Sequence, residues 1–496
     1  MTGKPEPPAR RAPSRRPSGR TRSGGAAETL IRGGTVITAS ETMTADVLIS
    51  DRKVAALLQP GTIDVAADEV IDASGKLVMP GGVDAHTHFE LPLGGTVSAD
   101  SFETGTRAAA WGGTTTVVDF AVQAKGESAM AGWETWMAKA EGACAVDYGF
   151  HMITGDINDQ TLMEMEALMD EGVTSFKLFT AYPGAFYSDD GEIVRAMQKA
   201  AELGAVVAMH AENGLAIDVL VEQALARGET DPIHHGMTRS SILEGEATHR
   251  SIKLAELTGA PLYIVHLSAK EALDEVIAAR DRGLNVSAET CPQYLLLDLS
   301  RLGGGLEGAK YVASPPLRDA AEGHQERLWR GLKTGDIGVV ATDHCPFNFG
   351  EHPRLGPQKR LGLGDFTKIP NGLPVVEHRM ELVYDGGVAE GRIDLNRFVE
   401  VTAAAPAKMF GMYPKKGTIA VGADADIVVF DPGARRVISA ETHHMDVDYS
   451  AFEGRQTTGA VETVISKGKV LISDGAYRGE PGDGEYIARG PGDAAV

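Results

Sequence analysis

The sequence predicts an α/β chain: a (β/α)₈ TIM-like barrel with a small β-sandwich domain formed from both chain ends. Three observations predict it. Eight short apolar, β-branched runs recur between residues 77 and 346, and helical segments rich in Ala, Glu, Leu and Met lie between several of them. Near-continuous apolar strands alternating with helices belong to a parallel sheet covered on its outer face, and eight such units in this length suggest a closed barrel. The two chain ends instead carry alternating, Gly-punctuated strand patterns. A doubly wound open sheet is the alternative, but Gly112-Gly113 and the other glycine pairs form no dinucleotide fingerprint.

Taken in order, residues 1–27 are rich in Arg, Pro, Ser and Gly and read as a disordered basic tail. An organelle transit peptide is the competing reading, and the lack of a following apolar run argues against a secretory signal. Residues 28–80 and 415–475 read as the two halves of the sandwich, with TLIRGGTVIT and ADVLISDRKVAALL early and GTIAVGADADIVVFDP and ETVISKGKVLISDG late. Residues 81–414 hold the barrel. Its strands are read at 77–88, 114–120, 147–153, 175–181, 205–212, 261–268, 285–291 and 337–346. Residues 476–496 read as a C-terminal tail.

Composition narrows the function. The 496 residues are 43% hydrophobic and 23% charged, as in an ordinary globular protein, and the formal net charge is −22. Such acidity would repel nucleic-acid phosphates, and no run has the apolar length that spans a bilayer. The three cysteines, Cys144, Cys291 and Cys345, are widely spaced and odd in number. They fit a reducing compartment, hence the cytoplasm, and no thiolate zinc site.

The strongest local motif is Asp84-Ala85-His86-Thr87-His88. Residues i and i+2 of a strand point to one face, so His86 and His88 project together at the end of the first barrel strand, where such barrels keep their active sites. The pattern recurs. His210, His266 and Asp343 each stand where an apolar run stops. One strand-end histidine is usually structural, but the set points to metal ligation. Lys177 lies inside the apolar run SFKLF. A buried ammonium beside cations has a depressed pKa, and its neutral amine can add carbon dioxide to give a two-oxygen carbamate.

The stretches MPGGVDAHTHFELPLGGT, SFKLFTAY, MHAEN, IVHLSAKEAL, AETCPQYL, YVASPPLRD, ATDHCPFNF and LGLGDFTKIPNG resemble the dihydropyrimidinase and D-hydantoinase family of cyclic amidohydrolases, and the likeness runs from about Thr29 to Gly475. The resemblance implies two divalent metal ions, usually zinc. His86, His88 and Asp343 would hold one, His210 and His266 the other, and a carboxylated Lys177 would bridge them. It implies hydrolytic opening of 5,6-dihydropyrimidines to N-carbamoyl-β-amino acids, with hydantoins as the alternative substrates. Asp343 would act as general base then acid, and Tyr182 would stabilise the oxyanion. Ser314 and Asn371 would bind the ring's amide edge through backbone groups. The resemblance also implies a homotetramer, with the stretch GAYRGEPGDGEYIARG reaching toward a neighbour. His344 is expected to support the centre from outside it, and His234, His235, His443 and His444 to be surface or structural.

Related activities differ at named positions. Dihydroorotase-like enzymes follow their HxH with an arginine that grips the substrate carboxylate, whereas this chain has Glu90, expected to repel it. Allantoin is disfavoured by GDFTKIPNG and SPPLR. Leu93 stands where the family often has an aromatic, and FGEHPRLGPQKRLGLGDF is a lengthened segment after the eighth strand. Non-catalytic assembly relatives lose metal ligands, and here all six positions are filled.

Overall fold

Eight parallel strands, each hydrogen-bonded to the next in chain order, form one sheet in the computed structural model, which describes residues 28–61 and 67–492. They are Gly82–Thr87, Thr114–Val122, Asp147–Ile153, Ser175–Phe179, Val206–His210, Leu262–Ile264, Val286–Thr290 and Val339–Val340. A parallel bridge between Thr87 and His344 joins the last strand to the first and closes the ring. These strands are buried almost throughout, as strands covered on both faces must be. The outer helices begin at sequence-encoded caps. Ser101 accepts from the Thr104 N–H and Asp189 from the Glu192 N–H, each cap contributing roughly 1 kcal/mol.

The chain ends build the sandwich. One sheet takes Thr29–Arg32, Asp46–Ser50, Lys53–Leu58 and Glu69–Asp72. The other combines Thr35–Ile37, Thr42–Thr44 and Leu77–Pro80 with Ile427–Val437, Gln456–Ser466, Lys469–Ser473 and Ala476–Tyr477. Ile31, Val36, Val47, Val78, Ile427 and Ile465 pack together as their shared core. The expectation for residues 1–27 lies outside the described residues.

One feature differs from the sequence reading. The run 77–88 is two strands, because Leu77–Pro80 pairs within the sandwich and Gly82–Thr87 within the barrel. The chain changes sheets at Gly81, where a Cβ would lie only 2.1 Å from the Thr115 hydroxyl. A continuous apolar pattern cannot reveal such a hand-over, since both halves are buried. The C-terminal stretch packs along its own barrel. Tyr486 bridges Tyr148, Ile487 is buried, and Arg489 donates to the Ser175 hydroxyl at 3.1 Å, at the start of the fourth strand.

Candidate metal centre and ring-binding cavity

The C-terminal ends of the barrel strands place the expected ligands together. The Nε2 atoms of His86 and His88 lie 3.1 Å apart, and Oδ1 of Asp343 is 3.1 Å from the first and 3.2 Å from the second. A tetrahedral ion bound at 2.0–2.1 Å separates its donors by about 3.3 Å, so this spacing fits one divalent ion. Burial holds the His88 imidazole down to about 3, and the His266 imidazole well below its ordinary value. Neutral imidazole is the ligating form. Burial pushes the Asp343 carboxyl up, but the neighbouring His86 and His88 rings more than offset this and hold it well below the usual carboxylate range.

Lys177 is 2% exposed, and its Nζ sits 3.0 Å from Nε2 of His86. Among the described residues it has no carboxylate ion-pair partner; the nearest aromatic face is Phe120, with the ring centre 4.3 Å away. Burial lowers its pKa to about 8, so part of the side chain is neutral amine near neutral pH. The His210 and His266 rings complete the cluster, with centroids 4.5 Å apart. The donor set can therefore hold a second ion if Lys177 carries an acidic group.

Two carboxylates that the sequence reading passed over orient these ligands. Glu289, in the seventh strand, accepts from Nδ1–H of His86, from the Tyr263 hydroxyl at 2.6 Å and from the His266 N–H at 3.0 Å. Glu212 accepts from Nε2–H of His210 at 2.8 Å, leaving Nδ1 as that ring's other nitrogen. Each fixes which histidine nitrogen is free to ligate. The signal was present in AETCPQYL and MHAEN, as acids inside apolar runs. Two further acids anchor the HxH strand. Asp84 accepts from the Thr342 hydroxyl at 2.7 Å, and Asp119 from the Thr87 hydroxyl at 2.8 Å.

His88, Lys177, His210, His266 and Asp343 line one cavity of about 470 Å³, counted to its open mouth. Tyr182, Ser314 and Asn371 line it too. The Asn371 amide donates to the Ser314 hydroxyl at 3.0 Å and to the Tyr182 hydroxyl at 3.4 Å. Among the described residues, no protein group hydrogen-bonds the backbone N–H or C=O of Ser314 or Asn371. Tyr182, His266 and Asp343 have φ of 60°, 39° and 52°. Such strained turns at non-glycine residues gather at functional sites. Leu91, Leu93, Ile153 and Phe186 form the apolar part of the wall.

Other expected residues fall elsewhere. His344 faces away from the ligands. Its Nε2 meets Asp100 at 2.9 Å, and its Nδ1 accepts from the Val375 and Val376 N–H groups. Glu90 turns toward the Phe102 N–H and Lys139 rather than the cavity, so it cannot repel a bound carboxylate directly. No arginine stands among the described cavity-lining residues to attract one. His235 is structural, bonded to the Ala313 carbonyl at 2.8 Å, and His444 stacks on Trp111. A second acidic cluster, Asp147, Asp424 and Asp426, is occupied by the Lys416 ammonium at 2.6–2.9 Å from each.

Residues 77–471 match the model of the Amidohydrolase family. The chain is 62% identical over 465 residues to the D-hydantoinase of Streptomyces coelicolor, covering 93% of this chain and 98% of that one. The protein belongs to the amidohydrolase family, in its hydantoinase and dihydropyrimidinase group. Solved structures of this group share its fold. The dihydropyrimidinase of Brevibacillus agri is 50% identical with a TM-score of 0.90, covering 94% of this chain and 99% of its own. The L-hydantoinase of Arthrobacter aurescens is 31% identical with a TM-score of 0.83, over 93% and 99%. The chain is a cyclic amidohydrolase by family, and among its described residues no helix is long and apolar enough to cross a membrane.

Proposed function

We propose that the protein opens the cyclic amide of 5,6-dihydropyrimidines such as dihydrouracil and dihydrothymine, releasing N-carbamoyl-β-amino acids. The observation that carries this is one cavity faced by the His/Lys/Asp cluster on one side and by Tyr182, Ser314 and Asn371 on the other. We assign His86, His88 and Asp343 to one divalent ion, His210 and His266 to a second, and a carbamate on Lys177 to the bridge. Imidazole and carboxylate-type donors suit zinc. Two bound ions would supply Lewis acidity and an activated water at neutral pH.

The chain's own groups do the rest. The unpaired backbone N–H and C=O groups of Ser314 and Asn371 match the alternating donors and acceptors of a ureide ring edge. Asp343 takes the proton of the attacking water and returns it to the leaving ring nitrogen. The Tyr182 hydroxyl, raised to about 12 by burial, stays protonated and donates to the developing oxyanion.

A second reading is favoured by the apolar wall of Leu91, Leu93, Ile153 and Phe186, which suits a ring substituent. On that reading 5-substituted hydantoins are the better substrates, in keeping with the name of the Streptomyces relative. Turnover of dihydrouracil, dihydrothymine, hydantoin, phenylhydantoin, allantoin and dihydroorotate, with metal content on the same sample, separates the readings. Preference for dihydrouracil supports the first and preference for phenylhydantoin the second. Full metal loading with no ring opened would overturn both.

We also propose a cytoplasmic homotetramer. Three buried free cysteines support a reducing compartment. Leu215 and Val219, one turn apart on the helix Gly214–Ala226, are more than half exposed and offer an apolar contact. Light scattering of the purified chain tests the assembly.

A further inference from the structure

Lys359 is fully buried in the lengthened segment after the eighth strand, and among the described residues no carboxylate pairs with it. Its Nζ donates to three backbone carbonyls: Val312 at 3.0 Å, Pro370 at 2.8 Å and Gly372 at 2.8 Å. In its ammonium form the side chain has three N–H donors and no acceptor, so the set is complete; burial brings this group down to about 7, and the three-donor form is the one present below that pH. The acceptors are not scattered. Pro370 and Gly372 flank Asn371, and Val312 is two residues before Ser314. One nitrogen thus gathers both loops that line the cavity, and the Gly372 N–H returns to the Val312 carbonyl at 3.0 Å.

The preceding residue extends the tie. The Gln358 carbonyl oxygen accepts from the Asn348 N–H at 2.9 Å, while its amide nitrogen donates to the Val97 carbonyl at 2.6 Å and the Thr96 hydroxyl at 2.8 Å. Thr96 and Val97 pair with Leu93 and Pro92 in the hairpin that brings Leu93 to the cavity. The Lys359 N–H donates to the Asn348 carbonyl at 2.8 Å.

We propose that Lys359 is a positioning residue for substrate recognition: by drawing in the carbonyls on both sides of Asn371 and near Ser314, it sets the spacing of the backbone groups that read the ring's amide edge, and Gln358 fixes that edge relative to the Leu93 hairpin. This rests on the ring-opening reading above. Pro370 and Gly372 have their carbonyls committed to Lys359, so the neighbouring groups of Asn371 are left for the ligand. Charge-assisted bonds to a buried ammonium are stronger and shorter than neutral ones, which suits a clamp that must hold loops still. The three donors of a lysine radiate from one atom, which matches three carbonyls that converge on one point.

The test is steady-state kinetics of metal-loaded wild type and Lys359→Met, with the best-opened ring of the panel, alongside metal content. The expected result is a KM raised about tenfold or more, the effect of one or two misplaced hydrogen bonds, with kcat and metal content close to wild type. Lys359→Gln, which keeps two donors, is expected to fall between, and it decides by the same criterion should the methionine variant not fold. A folded variant with unchanged KM overturns the proposal, as does an equal loss of kcat and metal. Wild type that opens no ring overturns the ring-opening function and this inference with it, whereas active wild type with an unaltered variant KM overturns this inference alone.

Discussion

Glu289 accepts the Nδ1–H of His86, and this buried bond decides which nitrogen of His86 faces Asp343 and His88. The same carboxylate takes the backbone N–H of His266. One side chain therefore braces a residue from each of the two metal positions proposed above.

Glu289→Gln should keep the fold and loosen both ligands. The expected loss is about 10–100-fold in metal affinity or kcat/KM, the usual effect of removing such a supporting group. Zinc retained after dialysis against a weak chelator, read with activity, checks it. Unchanged retention and unchanged rate would show that His86 is held by packing alone.

Lys177→Ala should lose most of the bound metal and all detectable turnover, while circular dichroism and the barrel's cooperative melt persist. Added short-chain carboxylate should restore part of the activity by replacing the missing acid. An active variant without added carboxylate would rule out the bridging part assigned to Lys177.

Tyr182→Phe removes one oxyanion donor and should lower kcat by about 100–1000-fold. KM should move little, because the donor acts mainly on developing charge. A change confined to KM would place Tyr182 in ground-state binding instead.

Leu93→Ala should cut kcat/KM for phenylhydantoin about tenfold, the scale set by lost apolar contact in a specificity pocket, and leave dihydrouracil nearly unaffected. Equal losses on both rings would mean that the hairpin shapes the cavity as a whole.

Stability should carry a pH signature from Glu381. Burial raises its carboxyl from 4.5 to about 7. A folded-state pKa above the unfolded value means that the native chain binds the proton more tightly. The stabilisation is therefore full below about pH 4.5 and is lost as pH rises through 7, on the order of 3 kcal/mol at 1.36 kcal/mol per unit. Glu381→Gln should flatten the melting temperature across pH 4.5–7.5 relative to wild type. Parallel curves for the two proteins would contradict this.

Much of the barrel and the grouping of the candidate donors could be read from the sequence, for a definite reason. Strand-end residues follow apolar runs, and HxH uses the two-residue period of a strand, so His86 and His88 announce themselves. His210, His266 and Asp343 share that position. Glu289 and Glu212 were harder to see, because a carboxylate in a strand says nothing about its partner until neighbouring strands are registered. Lys359 escaped for a similar reason. Its acceptors are main-chain carbonyls, which carry no side-chain signature. The direction of Glu90 depends on a positive φ of 53° that its residue type does not encode.

The bridge between Thr87 and His344 closes the barrel beside its own ligands: the N–H of His88 donates to the His344 carbonyl, and Asp343 is the next residue back. The seam of the ring and the three-donor cluster are thus the same place. On the ribosome, His86 and His88 emerge some 250 residues before Asp343, so the nascent chain spends most of its synthesis with an incomplete donor set. On the metal assignment proposed above, capture by the full donor set would wait for the final strand to dock, and the ion would act as a latch on the finished ring rather than a nucleus for building it.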